Sequence, residues 1–114
     1  MEVILDRLDS VKSNSNLEKV NNPEKITNLL IKNYNQNTQW NNLEKFTNLE
    51  VLHIENCWVD NFNFFSSISK LQKLTTFKYN ENCFFKKSEK KTNIKFSKLN
   101  KIVFICNKKD DPDL

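Results

Sequence analysis

A chain of 114 residues has room for one domain, and its apolar fraction of 38% is enough for one modest core. The net charge of +4 is spread over lysines interspersed with acids, so it makes no concentrated basic footprint. No apolar run approaches the roughly 18 residues of a membrane span, and the first residues, Met1 to Arg7, with acids beside a short apolar run, are not expected to act as a secretory signal.

Three cysteines at irregular spacing argue against a disulfide framework and for a reducing compartment, so the expectation is a cytoplasmic or otherwise intracellular protein. Glycine is absent, so any turn that needs positive φ must use Asn or Asp, the next most tolerant residues.

Residues 1–25 read as an N-terminal capping segment. Ile4, Leu5, Leu8 and Val11 lie at helical spacing, while Val3 and Leu5 suit a short strand, and the pattern leaves both open. Ser13 to Asn16 is a polar break and a candidate helix start before Leu17 and Val20.

From Ile26 a short pattern recurs. It reads Leu49, Leu52, Ile54, Cys57, then Leu74, Phe77, Tyr79, Asn82, then Leu99, Ile102, Phe104, Asn107, each copy 25 residues after the last. A weaker copy, Ile26, Leu29, Ile31 and Tyr34, precedes them by 23 residues, with Asn33 and Asn35 beside the Tyr that replaces the usual last residue. Self-similarity at a fixed period marks stacked structural units. Positions 4 and 6 of each copy alternate with polar neighbours, as in a strand buried on one side.

The connections repeat as well. Leu43 with Phe46, and Ile68 with Leu71, stand three apart and fit one or two helical turns facing inward. Ser66 to Leu74 is the strongest helical candidate, with Ser66 or Ser67 as N-cap. Asn33 to Asn42, broken by Tyr34 and Trp40, otherwise reads as a polar loop, Lys86 to Lys91 as a solvated charged excursion, and residues 108–114 as a frayed tail.

The pattern Leu-x-x-Leu-x-Leu-x-x-Asn/Cys resembles the leucine-rich repeat over residues 26–107. The resemblance implies an α/β fold, a short leucine-rich-repeat solenoid. Parallel strands would line a concave face, with short helices or irregular backbone on the convex face. It also implies that the ninth residue of each copy, Asn or Cys, points inward to satisfy backbone groups at a turn. Phe77, Tyr79 and Phe104 are larger than the family's usual leucines and call for a bulkier core. Phe62, Phe64, Phe65, Phe84 and Phe85 read as core and convex-side packing.

Catalytic chemistry finds little support. His53 and Cys57 form a nominal nucleophile pair, but in this register one points outward and the other inward. Cys57, Cys83, Cys106 and His53 lack the close pairing of a zinc site; only Cys57 and Cys83 are placed to approach each other. Without glycine there is no Gly-rich phosphate loop.

What remains is a non-enzymatic protein–protein interaction module, with no cofactor or metal. Its expected contact face comprises Val51, His53, Glu55, Thr76, Lys78, Asn80, Lys101, Val103 and Ile105, continued by Asn28, Leu30, Lys32, Asn33, Asn56, Glu81 and Cys106. An inhibitor- or immunity-type protein, a nucleic-acid-associated basic protein and a homodimer through the C-terminal edge are the competing readings. Nucleic acid rests on the positive charge alone, and the dimer on the exposed apolar groups of the last copy.

Overall fold

The computed structural model describes residues 2–8, 17–86 and 101–107. Within them five strands form one parallel sheet: β1 (Glu2–Asp6), β2 (Asn28–Lys32), β3 (Val51–Glu55), β5 (Thr76–Asn80) and β7 (Val103–Asn107). They lie side by side in chain order, each paired in parallel with the next. Two shorter strands, β4 (Trp58–Asp60) and β6 (Phe84–Lys86), pair separately, also in parallel. The architecture is therefore mixed α/β around a parallel sheet.

The N-terminal ambiguity resolves to a strand, because Val3 and Leu5 extend the two inner rows of the sheet. One row holds Val3, Leu29, Leu52, Phe77 and Phe104, and the other Leu5, Ile31, Ile54, Tyr79 and Cys106. Leu29, Leu52 and Phe77 in the first row, and Leu5, Ile31 and Ile54 in the second, are fully buried. Each such side chain removed from water contributes about 1.5–3 kcal/mol before entropy is counted. The candidate helix start at Ser13 to Asn16 lies outside the described residues, as do residues 87–91 and 108–114.

The connections on the other side of the core are mostly 3-10 turns, at Leu17–Lys19, Pro23–Lys25 and Trp40–Lys45. One is a true helix, α1 (Asn61–Ser69). It begins five residues before the sequence expectation of Ser66 and ends before Leu74. The Asp60 carboxylate caps it by accepting from the Phe62 N–H at 3.1 Å, a stronger start than either serine because it also faces the positive end of the helix. Phe64, Ser67 and Ile68 form its buried stripe. Residues 33–42 are not wholly a surface loop: Trp40 is buried, edge-on to Phe64 at 5.2 Å and 6.0 Å from Tyr34.

The last copy departs from its 25-residue spacing. Thr76 pairs with Val103, Phe77 with Phe104 and Lys78 with Ile105, a separation of 27 residues. A two-residue slip preserves the inward and outward faces, because strand side chains alternate with period two. It exchanges Ile102 for Phe104 in the inner row, where Phe104 lies 5.5 Å from Phe77 and stacks on Phe65 at 6.3 Å. Ile102 stays buried just before the strand. The aromatic enlargement at Phe77 thus recruits an aromatic neighbour, and the ring series runs from Tyr34 through Trp40, Phe64 and Phe77 to Phe104.

Candidate functional site

The outer face of the sheet carries three rows set by the strand register. Glu2, Asn28, Val51, Thr76 and Val103 form one; Ile4, Leu30, His53, Lys78 and Ile105 the second; Asp6, Lys32, Glu55 and Asn80 the third. The structure therefore brings together Val51, His53, Glu55, Thr76, Lys78, Asn80, Val103 and Ile105. Lys101 is different: the slip leaves it ahead of β7, with Val103 beside Thr76 in its place. Cys106, expected on the outer face, is the register partner of Tyr79 in an inner row, although it is exposed at the sheet edge.

At the centre of this face, His53 Nε2 lies 3.4 Å from Glu55 Oε1, and Lys32 Nζ lies 3.7 Å from Glu55 Oε2. Burial lowers the His53 pKa from its ordinary value of 6.5, with Lys78 and Lys32 adding to the fall and Glu55 opposing it. A small recess lined by Glu2, Asn28, Leu29, Leu30, Val51, His53 and Lys78 opens here.

The turns at the C-terminal ends of the strands differ from expectation in an informative way. The ninth residues do not form a row of inward amides: Tyr34 and Cys57 are buried, Asn82 is exposed and Asn107 lies within β7. The amides that join the turns come one or two positions earlier. Asn33 Nδ2 donates to Asp6 Oδ1 at 3.0 Å, Asn56 Nδ2 to Asn33 Oδ1 at 3.4 Å, and Asn80 Nδ2 to Asn56 Oδ1 at 3.0 Å. The Asn56 backbone N–H also donates to Asn80 Oδ1 at 3.0 Å. Asn33 and Asn56 have φ of 62° and 53°, and Asn22 has 52°. Asparagine thus takes the left-handed positions that a glycine-free chain cannot fill otherwise.

The inward polar role falls to thiols. Cys57 Sγ donates to the Ile31 carbonyl at 3.5 Å, and Cys83 Sγ to the Ile54 carbonyl at 3.6 Å. Ile31 and Ile54 are register partners, so Cys83, not Asn82, is the counterpart of Cys57. The pairing of Trp58 with Phe84 gives the same 26-residue offset. Burial pushes the Cys57 thiol up to about 12, which suits a structural group and not a nucleophile. Among the described residues no three His, Cys, Asp or Glu side chains gather as a metal site, and no helix is long and apolar enough to cross a membrane.

A cleft of about 380 Å³ opens beside the amide series, lined by Leu8, Tyr34, Cys57, Trp58, Phe84 and four asparagines, Asn33, Asn35, Asn56 and Asn82. Sequence reasoning assigned Phe84 to packing, yet it is 55% exposed and stacks on Trp58 at 5.7 Å with the ring planes 29° apart. The missed signal was the β4–β6 pairing, which no repeat position marks. Phe64 is buried as expected, and Phe65 and Phe85 pack against the core. A second, apolar cleft of about 240 Å³ lies between Asn61, Phe65, Phe77, Tyr79, Phe85 and Phe104. Compared with protein-family models, curated proteins and solved structures, the chain matches none.

Proposed function

We propose that the chain is a short leucine-rich-repeat solenoid that acts, without catalysis, as a protein-binding module through the outer face of its sheet. The observation that carries this reading is the row Leu30, His53, Lys78 and Ile105, with Glu55 and Lys32 beside it. Parallel strands set side chains from distant parts of the chain about 4.8 Å apart. The result is a rigid surface that mixes charge, amide and apolar groups, the composition of a transient protein contact. The 25-residue recurrence supports the family reading, and the two inner rows of apolar side chains are consistent with it.

The test compares wild type with the His53→Ala, Lys78→Ala double variant in affinity capture from cells of origin. The expected result is a protein retained by wild type and lost from the variant, with the two unfolding at the same temperature. Equal capture by both places the contact elsewhere and refutes the reading.

A second reading has its own observation. Val103, Phe104 and Ile105 on β7 are 59%, 43% and 37% exposed at the end of the sheet, which suits edge-to-edge pairing of two copies. Sedimentation then shows a dimer that Ile105→Lys disperses, and a wild-type monomer at high concentration excludes it.

A further inference from the structure

We propose that the cleft between the amide series and the Trp58–Phe84 stack binds an unpaired nucleobase together with its phosphate. The chemistry of the walls points there.

Trp58 and Phe84 are register partners on β4 and β6, so their stacking is set by backbone pairing and not by chance surface contact. Phe84, more than half exposed, offers an aromatic face at the rim of the cleft. Base stacking on such a ring is tolerant of base identity because every base has a π face. The volume of about 380 Å³ lies in the range of small-molecule sites.

The polar part of the lining is made of amides. Asn33 and Asn56 are locked by their mutual bond and by their partners Asp6 and Asn80, so their positions are fixed before any ligand arrives. Each amide nonetheless has one further donor or acceptor to spend, and Asn35 and Asn82 sit at the exposed rim. Side-chain amides present a donor and an acceptor together, the pattern that pairs with the edge of a base.

Charge favours a phosphorylated base over a sugar. No lining residue is ionised at neutral pH, and just behind the lining two cations rest on its aromatic rings: Arg7 Cζ is 5.0 Å from the Tyr34 ring, and Lys86 Nζ 5.6 Å from the Trp58 ring. The adjacent carboxylate, Asp6, already accepts from Asn33 Nδ2 and the Leu8 N–H. A neutral sugar gains no ionic attraction from two cations, whereas a phosphate attached to a stacked ring does. Because the cleft lies by the strand ends and turns, a ligand there leaves the outer face of the sheet free for a protein.

The probes are 5′-AMP, a fifteen-nucleotide single strand of uridylate and the neutral sugar cellohexaose, each titrated into the full-length protein and followed by NMR. The chain has two tryptophans: Trp40 is buried in the core, while Trp58 lines the cleft, so their indole N–H signals report site and bystander separately. The expected result is movement of the Trp58 indole with nucleotide and none at Trp40, and affinity reduced by about tenfold or more in Phe84→Ala. Equal affinity per site for 5′-AMP and the strand identifies a free nucleotide as the source; much tighter binding of the strand identifies single-stranded nucleic acid.

Absence of binding by either nucleotide at millimolar concentration overturns the proposal. So does binding that high salt abolishes and Phe84→Ala leaves unchanged, which marks diffuse attraction to a basic protein. Movement of Trp58 with cellohexaose alone assigns the cleft to sugar and also overturns it. Phe84 is exposed, so its truncation leaves the core rows intact; matching unfolding temperatures for variant and wild type verify that.

Discussion

The register of the last strand can be tested by charge. In the structure the neighbour of Lys78 on β7 is Ile105, whereas a uniform 25-residue repeat places Val103 there. Ile105→Glu therefore sets a carboxylate next to the Lys78 ammonium on an exposed sheet face, one strand spacing away at about 4.8 Å. At that separation in a water-like dielectric two unit charges attract by about 1 kcal/mol, and cross-strand ion pairs in sheets contribute about 0.2–1 kcal/mol. The substitution itself also removes the apolar contacts that Ile105 keeps with its sheet neighbours, so the raw stability change mixes two effects. A double-mutant cycle with Lys78→Ala separates them, since the lost apolar contact is common to both backgrounds. Urea unfolding at low salt should give a favourable coupling of about 0.2–1 kcal/mol between Ile105→Glu and Lys78, shrinking as salt screens the pair. The same cycle with Val103→Glu should couple weakly, because Val103 neighbours Thr76. Coupling at Val103 with none at Ile105 would restore the uniform repeat and refute the two-residue slip.

Two further outcomes follow from the titratable groups. Burial holds the His53 pKa below 6.5, so the unfolded chain takes up the proton first as pH falls, and stability declines from neutral pH through that window. His53→Gln should flatten the urea midpoint between about pH 7.5 and 5.5; a variant as pH-sensitive as wild type assigns the dependence to other groups. The cysteines should alkylate in order of access under native conditions: exposed Cys106 first, half-buried Cys83 next, and Cys57 only on unfolding, its thiol being buried and raised to about 12. Native labelling of Cys57 at the rate of Cys106 contradicts the buried thiol row.

The sequence by itself determined the sorting of most side chains into two faces, whereas the parallel arrangement was only implied by the resemblance of the repeat and is seen in the strand register. Alternation at Leu52, His53 and Ile54 repeats at Phe77, Lys78 and Tyr79, and strand periodicity converts that directly into an inner and an outer face. The outer-face residues His53, Glu55, Thr76, Lys78 and Asn80 were legible for the same reason. The absence of glycine likewise left any left-handed turn to Asn or Asp, and the structure places asparagine there, at Asn22, Asn33 and Asn56.

Tertiary structure decided what period alone leaves degenerate. A slip of two residues keeps every face and so leaves no trace in a local pattern; packing of Phe104 against Phe77 and Phe65 chose it. β1 was ambiguous because five residues suit a strand or a helical turn equally, until an open sheet edge beside β2 supplied its hydrogen bonds. The start of α1 followed the Asp60 cap, while the counterpart of Cys57 proved to be Cys83, since β4 and β6 pair at an offset one residue longer than β3 and β5. That same pairing created the Trp58–Phe84 stack and the cleft beside it. Contacts between residues some 26 apart are set by how the connections pack, and no window shorter than the repeat contains them.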